Sequence, residues 1–323
     1  GFIKFDILGL STLKMIEGSV YHILKKQGNP DPSFEDIKKF YNENLHPDSI
    51  NLKDKNVYEN IFWKGKWAGI FQFAEKGAQN FCKRTKPKNI IDIASITSIY
   101  RPGPLSANVH EDFVEAKENP RGIRYGHDIV KEVTKETYGF LIFQEQIALL
   151  AHKLGEGVTL EEGNKLRKLL TKKGGGSKAK EKESIRERFI KGCVNKRMAK
   201  ADAEDLWKKF EYFSGYGFNK SHAVSYSILS YQCAWLCNYY KAEWTASFLD
   251  REPETRKEKA INLAKQHGFA IKPLNINTSG YRWDFLDDKT LVAPLTTIKG
   301  LGDKAIEQIV ANRPFKNVEE LIF

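Results

Sequence analysis

The sequence predicts a mainly α-helical protein with small β elements. Apolar residues recur at helical spacing along most of the 323 residues, whereas strand-like alternation is confined to FIKFDIL at the start and TSGYRWDFLDDKTLVAPL near the end. Hydrophobic residues make up 41% and charged residues 29%, a mixture typical of soluble globular proteins and not of disordered or fibrous chains. No run of about 18 apolar residues occurs, so the sequence predicts no membrane-spanning helix and no membrane partner.

The first half of the chain is predicted to form short helices separated by prolines and glycines. The strand FIKFDIL is followed by a helix in LSTLKMIEGSVYHILKK that ends near Gly28. Prolines divide residues 29–54 into short helices joined by turns, and EKGAQNFCKR forms a further helix. The apolar run 90–99 ends at Arg101-Pro102-Gly103-Pro104, which is expected to stop the helix and hold an extended loop.

The second half begins with longer helical patterns. Helices are predicted in KEVTKETYGFLIFQEQIALLAHKLG and EEGNKLRKLLTKK, followed by a flexible loop at GGGS. The aromatic-rich run SYSILSYQCAWLCNYYKAEWTASFL is expected to be a buried helix. After Asp250, KEKAINLAKQHGF predicts a small helix, and two strands are expected to be joined by a turn at Asp287-Asp288.

The net charge of +11 is concentrated in one segment. Residues 165–200 contain 14 Lys and Arg against three Glu, and the rest of the chain balances. Clustered cations favour a polyanionic partner, because neutralising phosphates releases counterions. A solvated lysine-rich surface explains the same charge count, and composition alone leaves both interpretations open.

The four cysteines predict core packing and a reducing compartment. Cys233 and Cys237 lie four residues apart, so on a helix they share one face. A metal site would need further ligands nearby, and His222 is 11 residues from Cys233. Nothing else in the sequence indicates export, so we expect buried thiols in a cytoplasmic protein and no disulfides.

Two parts of the chain have the residue types of phosphate chemistry. On the opening strand, Lys4 and Asp6 lie on one side, and a carboxylate beside a lysine suits a divalent-metal phosphoryl-transfer site, although such pairs also occur on ordinary surfaces. FNKSHA places Lys220 and His222 just before an apolar helix. In LRKLLTKK, cations that could hold a triphosphate recur at helical spacing: Arg167, Lys168, Lys172 and Lys173.

The segment TIKGLGDKAIEQI resembles a helix-hairpin-helix DNA-binding motif. Gly300 and Gly302 are expected to form a tight turn whose amide groups, with the start of the following helix, bind a backbone phosphate without reading bases. Lys299 and Lys304 flank this turn. The alternative is one helix ending and another beginning, with no ligand.

Seven strings in a fixed order extend this resemblance to nearly the whole chain. They are KFDILGL, GIFQF, IYRPGPL, ETYGFLIFQEQI, LRKLLTKK, FNKSHAVSYSILSYQCAWL and TIKGLGDKAIEQI. Together they resemble the family C bacterial replicative polymerases, the alpha subunits of DNA polymerase III. The resemblance implies a DNA-directed DNA polymerase that adds deoxynucleotides to a primer 3′ end in DNA replication. This chain is then expected to bind the incoming dNTP and primer-template DNA.

The resemblance also implies roles for individual residues. Asp6 matches the third catalytic carboxylate of a palm that binds two Mg²⁺ ions in the complete enzyme, and Lys4 matches the lysine beside it. Arg167 and Lys168 match two arginines that face the triphosphate, although Lys168 lacks the guanidinium fork. In the fingers motif near the nucleotide, the matching residues are Lys220 and His222.

Other parts of the family pattern are absent or changed. The two further metal-binding aspartates belong to an upstream palm segment that this sequence lacks, so that portion is an implied partner and the isolated chain is expected to be inactive. A sliding clamp and other replisome subunits are implied partners of the full-length protein. Ala74 stands where the family commonly has Glu.

The resemblance predicts three regions. Residues 1–10 correspond to the C-terminal strand of the palm, 11–250 to the helical fingers domain, and 251–323 to a small α/β segment with the helix-hairpin-helix motif. We expect the chain to be an excised piece of a longer polymerase or one half of a split one. A non-catalytic DNA-binding module that keeps the fingers scaffold is the alternative from another functional class.

Overall fold

The computed structural model describes residues 10–65, 68–106, 108–171 and 177–321. Its contacts divide the chain into a first unit, Gly1–Glu75 with Ser230–Phe323, and a second unit, Lys76–Leu229. The predicted region limits at residues 10 and 250 do not coincide with these units, and they stay a prediction.

The mainly α-helical class with small β elements is confirmed. In chain order the helices are α1 (Ser11–Lys26), α2 (Phe34–Asn44), α3 (Lys55–Val57), α4 (Lys76–Thr85), α5 (Ile90–Ile99), α6 (Pro102–Ser106), α7 (Val109–Glu118), α8 (Asp128–Thr134), α9 (Gln144–Leu154), α10 (Leu160–Thr171), α11 (Ser177–Asn195), α12 (Lys200–Ser214), α13 (Lys220–Tyr239), α14 (Lys241–Arg251), α15 (Glu254–Gln266) and α16 (Asp303–Ala311). The strands are β1 (Ala270–Lys272), β2 (Asp284–Asp287) and β3 (Thr290–Val292).

In the first unit, α1 packs closely along α14. The apolar face of α1, which includes the buried Met15 and Val20, has the 3.6-residue period expected of an amphipathic helix. Gly18 permits the close approach, because a Cβ atom there would lie 2.5 Å from Oγ of Ser247. The same Oγ donates a hydrogen bond to the carbonyl of Met15 at 2.7 Å. As predicted, α1 ends before Gly28, which has a left-handed φ of 103°.

The small sheet of the first unit has the strand order β1-β3-β2. Strands β2 and β3 are antiparallel, and the turn that joins them is Asp288-Lys289, one residue later than the predicted Asp287-Asp288. Strand β1 runs parallel to β3, with Ile271 opposite Leu291. Strand β1 was not predicted, because three residues are too few to show alternation in the sequence.

The second unit is built around the packing of α9 on α10 and of α11 on α12. Its aromatic core includes Phe189, Trp207 and Phe210, whose ring centroids lie 5.1–5.9 Å apart. Leu150 and Leu154 of α9 belong to the same buried cluster. These helices are the ones that present the charged residues discussed below.

Three predicted boundaries are wrong. The run from residue 131 to 155 is not one helix, because α8 ends at Thr134 and Tyr138 adopts a left-handed φ of 54°. Pro102–Ser106 is a short helix and not an extended loop, since proline fits the first helical position. The aromatic-rich run forms α13 and α14, with a break at Tyr240, whose backbone is not helical.

The prediction that the cysteines pack in the core is confirmed. All four thiols are buried and none forms a disulfide. Burial raises the pKa of Cys233 to about 12 and that of Cys237 to about 11. No helix in the described ranges is long and apolar enough to cross a membrane.

Candidate nucleotide and DNA sites

In the second unit, the start of α9 lies beside the loop that precedes α13. Phe143 and Phe218 form a parallel β-bridge, with the Phe218 amide donating to the Ile142 carbonyl at 3.0 Å. The Gln144 amide donates to the Phe218 carbonyl at 2.9 Å. Gln146 stabilises the start of α9, because its Oε1 accepts from the amides of Ile142 and Phe143 at 2.9 Å each. The bridge thus brings together segments that are 75 positions apart.

Arg167 reaches this bridge from α10. Its Nη1 donates to Oε1 of Gln144, and Nε2 of Gln144 donates to the Gly217 carbonyl at 2.8 Å. Gly217 leaves room for this side chain, because a Cβ atom there would lie 2.9 Å from Cγ of Gln144. Arg167 is half-buried, whereas its neighbour Lys168 is exposed. Gln144 therefore joins the predicted triphosphate residue Arg167 to the loop before the fingers motif.

Lys220 and His222 lie in the first turn of α13. Asn219 accepts from the His222 amide at 2.8 Å, which caps the helix. The His222 ring is exposed and packs against Phe218 and Tyr226, at centroid distances of 5.5 and 4.3 Å. The fingers-motif histidine thus packs against Phe218, a residue of the loop that Gln144 contacts.

The Lys220 side chain is neutralised by one carboxylate of the same unit. Its ammonium group pairs with Glu136 at 2.5 Å, and its backbone amide donates to Glu145 at 3.0 Å. Both the Lys220 and Glu136 side chains are about one-third exposed. A phosphate at Lys220 would have to compete with Glu136 for the ammonium group.

Arg101, Gln144 and Phe218 are site residues that the sequence analysis quoted within motifs but did not single out. Arg101 donates to the Tyr216 carbonyl at 2.7 Å and to the Ser98 carbonyl at 2.9 Å. Its guanidinium carbon lies 4.5 Å from the centroid of the Phe218 ring. Burial lowers the pKa of Arg101, and no carboxylate in the described part of the chain pairs with it. The signal in the sequence was an arginine directly before Pro-Gly-Pro.

The basic segment 165–200 is less available to a polyanion than its charge count indicates. Carboxylates of the same unit neutralise several of its cations. Ion pairs join Lys165 to Glu181, Lys182 to Glu211, Arg186 to Glu183, Arg188 to Glu162 and Lys191 to Glu156. The strongest of these is bidentate, with Arg188 holding both oxygens of Glu162 at 2.6 and 3.2 Å.

Several predicted residues lie outside the described residues. These are Lys4, Asp6, Lys172 and Lys173. Within the ranges that are described, no group of three or more His, Cys, Asp or Glu side chains could hold a metal ion. The described residues therefore provide no ligand set for Mg²⁺.

In the first unit, the segment from Leu295 to Ala311 forms a turn, a glycine hairpin and a helix. The first element is a single 3₁₀ turn, Leu295–Thr297, and not the full helix predicted. Gly300 has the left-handed φ of 86°, whereas Gly302 is extended at φ −84° and is the N-cap of α16. The prediction that both glycines form the tight turn is therefore correct only for Gly300.

The hairpin presents its polar groups to solvent. Lys299, Gly300, Gly302 and Lys304 are all exposed. The first helical hydrogen bonds of α16 run from the amides of Ala305 and Ile306 to the Gly302 carbonyl. The amides of Asp303 and Lys304 come before these bonds, at the start of the helix. A small apolar core supports the hairpin, and its buried members are Leu295, Ile306, Ile309 and Phe315.

Comparison with known families agrees with this geometry. The family described as the bacterial DNA polymerase III alpha subunit finger domain matches residues 31–197, just over half of the chain. The chain belongs to this family. A helix-hairpin-helix motif family matches residues 268–323, which include the glycine hairpin. The resemblance to the alpha subunit is thus confirmed.

Relatives from several bacteria match nearly the whole chain. The DNA polymerase III subunit alpha of Campylobacter jejuni is 30% identical over 328 residues, covering 99% of this chain and 26% of the relative. Those of Xylella fastidiosa strain 9a5c and Aquifex aeolicus are 33% and 31% identical, covering 97% and 99% of this chain. The chain spans about a quarter of the length of these relatives. It is thus a family member that corresponds to the fingers and helix-hairpin-helix portion of the alpha subunit.

Proposed function

We propose that this chain supplies the incoming-nucleotide and DNA-binding surfaces of a replicative DNA polymerase that extends a primer 3′ end. The observation that carries the proposal is the convergence of Arg101, Arg167 and His222 on the Gly217-Phe218 loop. Local sequence gives no reason for these residues to meet. Their clustering in a member of the polymerase fingers family favours a shared anionic ligand.

The chemistry of the cluster suits a triphosphate. A guanidinium group presents a planar set of donors that matches phosphate oxygens, and it stays charged when half-buried. Arg101 has no carboxylate partner in the described ranges, so an anion would satisfy its charge. Gln144 orients Arg167, and the exposed His222 adds a further donor. During transfer, such fixed donors would stabilise the negative charge that develops on the leaving pyrophosphate.

Mg²⁺ enters this proposal only through Asp6. In a two-metal reaction the bound ions supply activation of the primer hydroxyl and neutralisation of the leaving group. Asp6 lies outside the described residues, and the ranges that are described contain no carboxylate cluster for a metal. The role proposed for Arg101, Arg167 and His222 is to bind and orient the phosphates, and it does not depend on where the ions lie.

DNA binding is assigned to the glycine hairpin of the first unit. The left-handed Gly300 and the N-terminal amides of α16 form a donor group of the type that binds a backbone phosphate. Lys299 and Lys304 add positive charge without any contact that would read bases. Binding should therefore be independent of sequence and should weaken as salt increases, with a log–log slope of roughly −0.9 for each phosphate neutralised.

Equilibrium titration with a fluorescent dATP analogue tests the nucleotide site. Arg101→Ala and Arg167→Ala should each weaken binding by about ten- to 100-fold, because a hydrogen bond to a charged group contributes roughly 1.5–3 kcal/mol. Arg101→Lys should restore part of the affinity. The matched control is Arg186→Ala, which removes a guanidinium that is paired with Glu183 on α11.

Competition identifies the group that is bound. Unlabelled dATP should displace the analogue much better than dAMP, because the cluster is proposed to contact the triphosphate. Equal competition by dAMP would contradict the assignment. So would unchanged affinity in both Arg→Ala variants when their unfolding curves show that they are folded.

A further inference from the structure

The first unit contains a cavity of about 730 Å³ that none of the functions above uses. It lies between α1, the start of α2, the C-terminal end of α14 and the loop 280–284. This volume is within the range of roughly 300–1,000 Å³ that is typical of sites for ligands of nucleotide size. Every residue that lines it belongs to the first unit.

Two arginines supply cationic groups to the cavity, whose lining has equal numbers of basic and acidic side chains. Arg251 and Arg282 are both exposed and line it, and among the described residues neither forms an ion pair. The half-buried Asp250 attracts both electrostatically without pairing with either. Of the carboxylates that line the cavity, Asp284 is paired with Lys25 at 3.0 Å. Glu17 lies 3.8 Å from Lys14, which leaves Asp31 as the remaining acidic side chain of the lining.

Aromatic rings are interleaved with these cations. The Arg282 guanidinium carbon lies 5.6 Å from the centroid of the Tyr21 ring. Phe34, the first residue of α2, lines the cavity and is 67% exposed, although burial would be favourable for so large an apolar side chain. A guanidinium group beside an aromatic ring, together with an exposed ring, is typical of surfaces on which the bases of a single strand stack.

A neutral polar group is also present at the cavity. His22 lines it and is 3% exposed, and its Nδ1 has no hydrogen-bond partner among the described residues. The nearest carboxylate oxygen, on Asp284, is 3.9 Å away, which is too far for a hydrogen bond. Burial lowers the pKa of His22 to about 4, so the imidazole is uncharged at neutral pH. An uncharged donor and acceptor complements the edge of a base better than it complements a phosphate.

The cavity adjoins the glycine hairpin. Tyr281 lines the cavity, and its hydroxyl donates to the carbonyl of Asp303, the first residue of α16, at 2.6 Å. Val310, on the same helix, also lines the cavity. A DNA strand whose backbone contacts the start of α16 would therefore pass close to the cavity.

We propose that this cavity binds an unpaired nucleotide of a DNA strand, with the base against Tyr21 and Phe34 and its phosphates against Arg251 and Arg282. The inference rests on the proposed DNA-binding function only in that the same strand would also contact the glycine hairpin. The hairpin binds backbone in any DNA, whereas the cavity selects unpaired nucleotides. The two sites therefore make separable contributions to affinity.

Fluorescence anisotropy with the full chain separates these contributions. The probes are a blunt duplex and two versions of the same duplex, one with a short thymidine overhang at the 3′ end and one with it at the 5′ end. The overhang should tighten binding by about tenfold, which is the lower part of the range for one stacked base. Tyr21→Ala should abolish this gain and leave the affinity for the blunt duplex unchanged. Tyr21→Phe, which keeps the ring, should retain the gain.

Charge is tested with a matched pair of arginines. Arg282→Ala should reduce the gain from the overhang, whereas Arg256→Ala, an exposed arginine of α15 that pairs with Glu252, should not. Photo-crosslinking from 5-iodouracil in the overhang should label peptides that contain Tyr21 or Phe34. An overhang that adds no affinity, a gain that survives in Tyr21→Ala, or crosslinks only elsewhere would overturn the proposal.

The hairpin is tested independently with Lys299→Ala/Lys304→Ala. This double variant should weaken binding of blunt and overhang duplexes by the same factor, which would support separate sites. If it leaves blunt-duplex affinity unchanged, the proposed hairpin function fails, while the gain from the overhang still reports on the cavity. If it removes only the gain from the overhang, the cavity assignment is overturned.

Discussion

Replacing Gln144 by alanine should weaken triphosphate binding and the fold by similar amounts of free energy. The side-chain amide accepts from Arg167 and donates to the Gly217 carbonyl at 2.8 Å. Alanine removes both interactions, while the backbone bond from residue 144 to the Phe218 carbonyl remains. The substitution therefore leaves Arg167 charged and present but removes its contact with Gln144.

The magnitude follows from the bonds that are lost. A neutral hydrogen bond contributes roughly 0.5–1.5 kcal/mol, and one to a charged group roughly 1.5–3 kcal/mol. Their sum is about 2–4.5 kcal/mol, but Arg167 is only half-buried, so water replaces part of it. We expect a loss of about 1–2 kcal/mol in the free energy of unfolding and a five- to 30-fold weaker affinity for the dATP analogue.

Two measurements check this prediction. Urea unfolding measures stability, and titration with the fluorescent dATP analogue measures binding. Gln308→Ala is the control, because Gln308 is an exposed amide on α16 in the first unit. Gln144→Glu is informative as well, since a carboxylate would hold Arg167 but place an acceptor against the Gly217 carbonyl. Wild-type affinity in a folded Gln144→Ala variant would refute a positioning role for Gln144.

Three further experiments test the glycine hairpin, a buried ion pair and a raised carboxyl pKa. Gly300→Val should destabilise the hairpin by more than about 1 kcal/mol and weaken duplex binding, because Gly300 is left-handed. Gly302→Ala has open space around the added Cβ atom and should change the stability measured in urea by less than about 0.5 kcal/mol. Equal effects of the two substitutions would contradict the backbone conformations assigned to these glycines. Asp92→Asn should lower the free energy of unfolding, measured in urea, by about 3–5 kcal/mol. The buried Lys117 side chain, whose Nζ lies 2.8 Å from Asp92, would lose its counter-ion. A loss below about 1 kcal/mol would show that the pair is not buried. Burial raises the pKa of Asp250 to about 6, above its unfolded value near 3.8, so folding takes up a proton and stability should decline as the pH rises from about 4 to 6. Asp250→Asn keeps an acceptor for the Trp283 amide and should flatten that part of the pH–stability curve, and an unchanged curve would contradict the pKa shift.

Local patterns in the sequence determined much of this protein. The 3.6-residue period and Gly28 predicted α1, and the spacing of Cys233 and Cys237 predicted their burial. The ordered motifs identified the polymerase family, and the glycines of TIKGLGDKAIEQI located the hairpin. These features depend on a few neighbouring residues, so their physics can be read without knowing the rest of the fold.

Other features depended on residues distant in the chain. Which glycine is left-handed was decided by how the hairpin packs on its small core, and Tyr138 took a left-handed conformation inside an apparently continuous helical pattern. Carboxylates far along the chain neutralised cations of the basic segment, as Glu162 does for Arg188. A charge count cannot show this, because it contains no distances.

In the candidate nucleotide site, too, some residues could be predicted from the sequence and others only from the tertiary structure. The sequence by itself marked Arg167 and His222, because their motifs resemble those of the polymerase family. Only the tertiary structure added Arg101 and Gln144, since the bridge between Phe143 and Phe218 brings them to the same loop. Residue type and spacing determine which groups can carry charge or donate hydrogen bonds. Long-range packing decides which of those groups meet and which are already neutralised.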